Sequence, residues 1–396
     1  MSTFVLGGAQ TDFARNYQRE GLEISDLVRE VVEQTLDATR VDTVETIHLG
    51  NAFGQLYNGQ GQLGGMPAQV LPALRGVPAM RHEAACASGG IAILAAMAEL
   101  EAGRYDVALV LGVEQEKSVP GDEAARILGA ASWVGHEGDA EFVWPHQFSL
   151  LAQEYDRRYG LDHQHLAGIA ELNYRNARSN PYAQTRTWTA GPFGAEDANP
   201  VISGTVRRTD CSQITDGGAG IVLATEEKAR EWERRTGGTA AEIKGWGHRT
   251  VGLALQDKLD VQDEYVLPHV RQTIHDAFRR AGLEDVWQLD GIETHDCFTP
   301  SEYMAIDHFG ITAPGESWKA VESGMLEKDG AIPMNASGGL IGLGHPVGAT
   351  GVRMVLDATK QVTGSAGDTQ VEGARTYGTL NIGGSTTTTV SFVIGV

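Results

Sequence analysis

The sequence has no surplus of positive charge, no long apolar run and very little cysteine, and each shortage removes a class of function. Lys and Arg number 31 against 52 Asp and Glu, a net charge of −21. Binding a polyanion needs a basic face, so nucleic acid is not an expected partner. A local basic pocket for a phosphorylated ligand stays compatible with that balance. No stretch approaches the ~20 apolar residues of a membrane span. The N-terminal MSTFVLGGAQTDFARN has neither the basic start nor the apolar middle of a secretory leader, so the expected location is cytoplasmic. Cysteine occurs three times, at Cys86, Cys211 and Cys297. So small and odd a set reads as free thiols in a reducing compartment, and without CxxC-type spacing no metal is expected.

What is abundant is glycine, with 50 in 396 residues, scattered without a period. That pattern fits tight turns and close backbone packing in a large folded core. Two of the glycine-rich stretches are nearly the same phrase: CASGG at 86–90 and NASGG at 335–339. Upstream of each, an amphipathic helical stretch precedes a strand-like one. EISDLVREVVEQTLDAT leads to VETIHLGNAF, and VLPHVRQTIHDAFRRAG leads to LDGIETHDCF. Phe53 and Phe298 are 245 positions apart, and Ala87 and Ala336 are 249 apart. Two nearly equal offsets predict a duplicated unit. A third pair, around Gly217–Gly218 and Gly383–Gly384, is spaced differently from its ASGG. The first half therefore carries roughly 83 extra residues, placed between Glu114 and Cys211.

The expected organisation is an N-terminal half at 1–114 and 206–240, an inserted loop domain at 115–205 and a C-terminal half at 241–396. Strands alternating with helices predict an α/β fold with mainly parallel buried sheets. Ligands are expected at the carboxyl ends of the strands, where both ASGG turns and HDCF lie.

The chemistry-bearing residues fall at those turns. Cys86 sits between a strand end and a helix start, where amides and the helix dipole favour thiolate; it is a nucleophile or an inert buried cysteine. His345, in GLGHPVGATG, is a base for a thiol or a turn histidine bonded to a carbonyl. In THDCF, alternation puts His295 and Cys297 on one face and Asp296 on the other, giving two titratable groups to one pocket, or a surface histidine beside a core cysteine. Cys211 has no base nearby in sequence and reads as structural. His136, His146, His163 and His165 lack metal spacing and read as mostly solvent-exposed. Arg175, Arg178, Arg186, Arg207 and Arg208 form either a phosphate-facing surface or a solvated one.

Taken together, CASGG, HDCF, NASGGLIGLGHPVGATG and the LLAQEYDRRYG…NARSNPYAQ stretch resemble the thiolase superfamily, most closely its sterol-carrier-protein-type branch, over nearly the whole chain. No fused sterol-carrier domain is expected, because the second half closes at Val396. The resemblance implies a five-layer α/β/α/β/α fold of two similar halves. It implies acyl transfer through a cysteine thioester, with coenzyme A thioesters as substrates and no bound cofactor. By position, Cys86 accepts the acyl group, His345 activates it, and the amides of Cys86 and Gly383 form the oxyanion hole. Many thiolases carry their acid/base cysteine in a C-terminal CxG; here those positions read Asn381-Ile382-Gly383, so the role passes to Cys297 of HDCF, with His295 beside it. Ser337, Gly338, Arg207 and Arg208 are carried as candidate CoA contacts. A homodimer or tetramer and a small zinc-binding partner protein are further implications. The alternatives are a condensing enzyme or acyltransferase with a non-CoA acceptor, and a non-catalytic acyl-CoA-binding subunit.

Overall fold

The computed structural model describes residues 2–194 and 197–396. Its strands are β1 (Thr3–Gln10), β2 (Thr46–Gly50), β3 (Ala79–His82), β4 (Val107–Gln115), β5 (Val201–Ser203), β6 (Val206–Arg207), β7 (Asp216–Thr225), β8 (Ala241–Thr250), β9 (Gly291–Thr294), β10 (Thr376–Gly383) and β11 (Thr388–Gly395). Nine of them are hydrogen-bonded in the order β3-β2-β4-β7-β1-β8-β11-β10-β9, and β5 and β6 form a separate ribbon.

The order reads as one unit written twice, back to back. β2, β4, β7 and β1 correspond to β9, β10, β11 and β8, and a parallel bridge from Ile292 to Met334 takes the place of β3. β1 and β8 join the copies as an antiparallel pair. The strands are not mainly parallel, as the sequence led us to expect. Parallel pairing is confined to β2–β3, β2–β4 and β9–β10, and the other ladders of the large sheet are antiparallel. The apolar runs behind that expectation report burial on both faces, which does not depend on strand direction.

The layers follow from which faces are apolar. Helices Ser88–Glu101 and Thr350–Val362 share one buried cluster with strands of both halves, including Ile93, Met97, Ile221, Val355 and Phe392. Helix Ile24–Thr39 covers the outer face of the first half through Leu27, Val28 and Val31. Helices Pro268–Ala281 and Thr299–Phe309 cover the second. This is the expected five-layer α/β/α/β/α arrangement.

The two central helices meet at glycine. A Cβ on Gly89 would lie 2.8 Å from the Val352 nitrogen, and one on Gly351 would lie 2.3 Å from the Gly90 nitrogen. The backbones approach too closely there for any side chain. The two ASGG phrases are only partly equivalent. Each follows the matching edge position, β3 or Met334, and each turns beside a left-handed non-glycine residue, Ala85 (φ 50°) or Asn335 (φ 53°). The first phrase then opens a helix at Ser88. The second enters a π-helical turn, Gly339–Leu343, and its helix waits until Thr350.

β10 and β11 are joined by a four-residue turn, whereas β4 and β7 are separated by everything from 116 to 215. That excursion contains helices Gly121–Leu128, Val143–Tyr159 and His163–Ala177 and the β5–β6 ribbon. Residues 206–215 therefore go with the excursion rather than with the N-terminal half. The ribbon packs on helix Val143–Tyr159, where Ser149 Oγ accepts from the Thr205 amide.

Candidate active site

The carboxyl ends of β2, β4, β9 and β10 converge on one cavity of about 140 Å³, lined by Cys86, Cys297 and His345 among others. Cys86 precedes helix Ser88–Glu101. The turn that presents it is held by Ser88, whose hydroxyl donates to the Ala85 carbonyl (2.6 Å) and accepts from the Ala84 amide (2.9 Å). Left-handed Ala85 is a strained conformation for a residue with a Cβ, of the kind that clusters at functional sites.

Cys86 Sγ and one nitrogen each of His295 and His345 lie within 4.8 Å of one another. The two imidazoles meet edge to face, with centroids 5.1 Å apart. His345 is fixed by Thr350, whose Oγ is 2.7 Å from Nδ1 and donates to the Pro346 carbonyl (3.1 Å). With its own hydrogen committed there, Thr350 accepts from Nδ1–H. Nε2 of His345, buried and without a partner among the described residues, then carries a lone pair.

His295 is set the opposite way by Asn381. The Asn381 Nδ2 donates to the Cys86 carbonyl (3.0 Å), which can only accept, and this fixes the orientation of the amide. The same nitrogen lies 3.4 Å from His295 Nδ1, so Nδ1 is the acceptor and Nε2 bears the hydrogen. One histidine thus offers the site a lone pair and the other a donor. Burial holds both neutral: His345 is pushed down to about 3, and His295 is lowered by burial and by its neighbour His345.

The thiol departs from expectation. Burial and the nearby Glu116 push Cys86 up to about 12, against the amides of Gly384 and of Cys86 itself, which face the sulfur and favour thiolate. The helix start does not win, because desolvation of a thiolate outweighs two amide dipoles. The resting pair is therefore thiol and neutral imidazole. Alkylation of Cys86 by iodoacetamide, followed on its own peptide by mass spectrometry, is expected to rise roughly tenfold per pH unit to pH 9. A plateau between pH 6 and 8 would reveal a thiolate–imidazolium pair instead.

The amide beside Cys86 also differs by one position from expectation. Gly383 ends β10, paired with Thr388, and a Cβ on it would strike the Ala84 carbonyl oxygen at 2.2 Å. Gly384, the next residue, lines the cavity and turns its amide to the sulfur. Sequence alone placed the glycine pair but not which of the two leaves the ladder. Lys258 and His269 hold the turn that carries Gly384. Lys258 Nζ donates to Ser385 Oγ (2.8 Å) and Thr387 Oγ1 (2.9 Å), and His269 Nε2 is 3.0 Å from the Thr386 carbonyl.

In HDCF, alternation is observed as expected. His295 and Cys297 face the cluster, and Asp296 points away to accept from the amides of Leu340 (2.6 Å) and Ile341 (3.0 Å), pinning the π-helical turn. Burial raises Cys297 well above an ordinary thiol, and Cys86 and Asp296 add to the shift.

The four candidate CoA contacts are not brought to the cavity. Ser337 is buried and donates to Glu293 (2.6 Å), and a Cβ on Gly338 would lie 2.8 Å from Ala177. Both belong to the packing beneath the site. The Arg207 guanidinium donates to the Asn199 carbonyl (2.8 Å), and Arg208, exposed, donates to that of Ala198 (2.9 Å). Cys211 does line the cavity, with its thiol donating to the Arg207 carbonyl (3.3 Å). His163 and His165 are part-buried beside Asp210 and Glu322, while His136 and His146 are exposed.

Two acids at the end of β4 escaped the sequence reading. Glu114 accepts from the amides of Ala52 (2.8 Å), Phe53 (3.0 Å) and Gly348 (3.2 Å), and Glu116 from those of Val347 (2.9 Å) and Thr215 (3.2 Å). Together they tie the loop after β2 to the His345 loop. The signal was present in VEQEKS, two acids two apart at the end of an apolar run. The set Cys86, His295 and His345 has the soft-donor character of a zinc site.

Residues 3–188 match the model of the thiolase N-terminal domain, and 255–396 that of the thiolase C-terminal domain-like family. The chain is 30% identical to an acetyl-CoA acetyltransferase of Methanothermobacter thermautotrophicus over 96% of both chains, and 24% identical to human sterol carrier protein 2 over 98% of this chain and 71% of that one. Among solved structures, the Ltp2-ChsH2(DUF35) aldolase superposes with a TM-score of 0.78 at 18% identity, and human mitochondrial 3-ketoacyl-CoA thiolase with 0.74 at 17%. They cover all of this chain and 98% of each of theirs. The fold, the cysteine–histidine cluster and these matches agree: the chain belongs to the thiolase superfamily, in its sterol-carrier-protein-type branch, and is an acyltransferase of the thiolase type.

Proposed function

We propose that the protein forms or cleaves a 3-ketoacyl-CoA through a thioester on Cys86. The observation that carries this reading is the meeting of Cys86, His295 and His345 within 4.8 Å, in a cavity that Cys297 also lines. Cys86 Sγ attacks the acyl-CoA carbonyl and gives its proton to the free Nε2 of His345. The amides of Gly384 and Cys86 donate to the oxyanion, and one such donor is worth about 3–4 kcal/mol of barrier.

Cys297, held as a neutral thiol, protonates the departing CoA sulfur and is left as a strongly basic thiolate. That thiolate takes an α-proton from a second acyl-CoA, whose carbonyl oxygen is held by the Nε2–H of His295. The carbanion attacks the Cys86 thioester, and the Cys86 thiolate recovers its proton from His345. Protons balance over the cycle, and the reverse sequence is thiolysis.

The test is acetoacetyl-CoA plus CoA, with loss of the 3-ketoacyl-CoA followed alongside the intact mass of the protein. Cys297→Ala is expected to acquire an acyl group on Cys86 yet to turn over roughly 100-fold more slowly, the scale of a lost general acid/base. Undiminished turnover in that variant would remove Cys297 from the mechanism.

The reading includes an oligomer and a partner. β3 is an open sheet edge with Met80 facing out, which supports edge-to-edge pairing of two copies. The solved neighbour named as a complex with ChsH2(DUF35) supports a small partner protein. Among the described residues no helix is long and apolar enough to cross a membrane, which is compatible with a cytoplasmic location.

A further inference from the structure

We propose that the acyl group carried by Cys86 is neutral, apolar and about six carbons long or aryl-sized, rather than acetyl. The inference rests on the thioester reading above and adds the substrate class to it. Away from the reacting groups, the cavity wall is built from Phe53, Leu128, Phe142, Trp144, Phe148 and Phe298. Phe148 and Phe298 stack with centroids 4.6 Å apart, which makes a flat apolar floor.

Most of the polar groups that reach this wall are engaged, the Ser212 hydroxyl and the Gln213 side-chain carbonyl oxygen being the exceptions. Trp144 Nε1 donates to the Leu128 carbonyl (2.9 Å), Gln213 Nε2 to the Cys211 carbonyl (3.3 Å) and the Cys211 thiol to the Arg207 carbonyl (3.3 Å). Glu116 is taken by two amides, and among the described residues no Lys or Arg lines the cavity. A carboxylate on the acyl chain would be buried there with no cation to compensate its charge, a cost that a hydrocarbon does not meet.

Size points the same way. An apolar cavity of ~150 Å³ is large enough to hold benzene, and this one measures about 140 Å³. An acetyl group on Cys86 would not reach the aromatic part of it, beyond Cys86 and His345. Leu128, Phe142, Trp144 and Phe148 of this wall belong to the excursion between β4 and β7. Phe53 and Phe298 complete it from the strand ends, where the catalytic groups stand. The excursion thus adds acyl-facing surface to a site whose chemistry is set at the strand ends.

Each buried methylene is worth ~0.8 kcal/mol, so four more carbons amount to on the order of 100-fold. The experiment measures rates of Cys86 acylation by acetyl-CoA, hexanoyl-CoA, benzoyl-CoA and succinyl-CoA, read by intact mass on the full chain. Hexanoyl-CoA or benzoyl-CoA is expected to acylate on the order of 100-fold faster than acetyl-CoA at subsaturating concentration, with succinyl-CoA slowest. Ala125→Phe, which fills the wall from helix Gly121–Leu128, is expected to cut the hexanoyl-to-acetyl ratio tenfold or more. The ratio in the unaltered protein decides the question even where that variant does not fold. A ratio at or below one, or fast transfer from succinyl-CoA, overturns the acyl class. Absence of acylation by all four thioesters overturns the thioester reading itself.

Discussion

Cys86→Ala is expected to abolish acyl transfer to the protein and to lower thiolysis by about 10⁴-fold or more, the scale at which loss of a covalent nucleophile is felt. The expectation comes from how little else in the cavity could replace it. Cys297 and Cys211 line the same space, yet neither has the setting of Cys86. Cys211 donates a hydrogen bond to the Arg207 carbonyl, and burial raises its pKa above that of an ordinary thiol. Cys297 is raised well above an ordinary thiol and its neighbouring charge is an acid, Asp296. Only Cys86 combines the free Nε2 of His345 with the amides of Gly384 and its own peptide. Intact mass after exposure to an acyl-CoA should show one added acyl group in the unaltered protein and none in Cys86→Ala. An acylated Cys86→Ala would place the nucleophile elsewhere.

How much of this could be read from the sequence depends on whether a property is local. Cys86, His295, Cys297 and His345 sit at turns whose chemistry is written in adjacent letters; Cys86, Cys297 and His345 line one cavity, and His295 lies beside Cys86 and His345 within the same cluster. The duplication was legible because equivalent positions keep their residue types: Phe53 and Phe298 follow matching strands and line the same cavity. Strand direction was not legible, since burial alone fixes the apolar runs. The protonation of Cys86 was misjudged because helix dipoles can be read from order, whereas desolvation and the approach of Glu116 need three dimensions. Asn381 was read only as a residue unable to move protons. Its hydrogen bond to the Cys86 carbonyl spans 295 positions, and the orientation it imposes on His295 follows from that contact alone. Ser337 and Gly338, candidate CoA contacts from the resemblance, are instead spent on packing against Glu293 and Ala177, contacts that only the three-dimensional fold creates.

That packing yields the second large effect. Arg353 is wholly buried in helix Thr350–Val362, and its Nη1 donates to Glu293 (2.7 Å), Ser337 Oγ (3.1 Å) and Asp357 (3.2 Å). Glu293 in turn accepts from the Ser337 amide (3.1 Å) at the turn that leads toward His345. Arg353→Met keeps much of the volume and removes the only cation in this group. Breaking one side of a buried pair typically costs about 3–5 kcal/mol, because the partner charge is left without compensation. The loss should appear as a lower denaturant midpoint with the secondary structure retained in buffer.

Its pH dependence has a definite sign. Burial already raises Glu293 to about 7 even with Arg353 opposing the shift. Without the arginine the carboxyl rises further, so in the folded variant it binds a proton at a pH where the unfolded chain, with its ordinary carboxyl near 4.3, does not. The variant's deficit is therefore largest at pH 8 and shrinks as pH falls toward 5, where Glu293 is neutral in the fold. Adding Glu293→Gln should return most of the lost stability at pH 8, since it removes the stranded charge rather than restoring the pair. A deficit that stays constant from pH 5 to 8 and is not relieved by Glu293→Gln would mean that Arg353 acts through its packing alone, and that the charge network beneath the second ASGG turn is not what holds it in place.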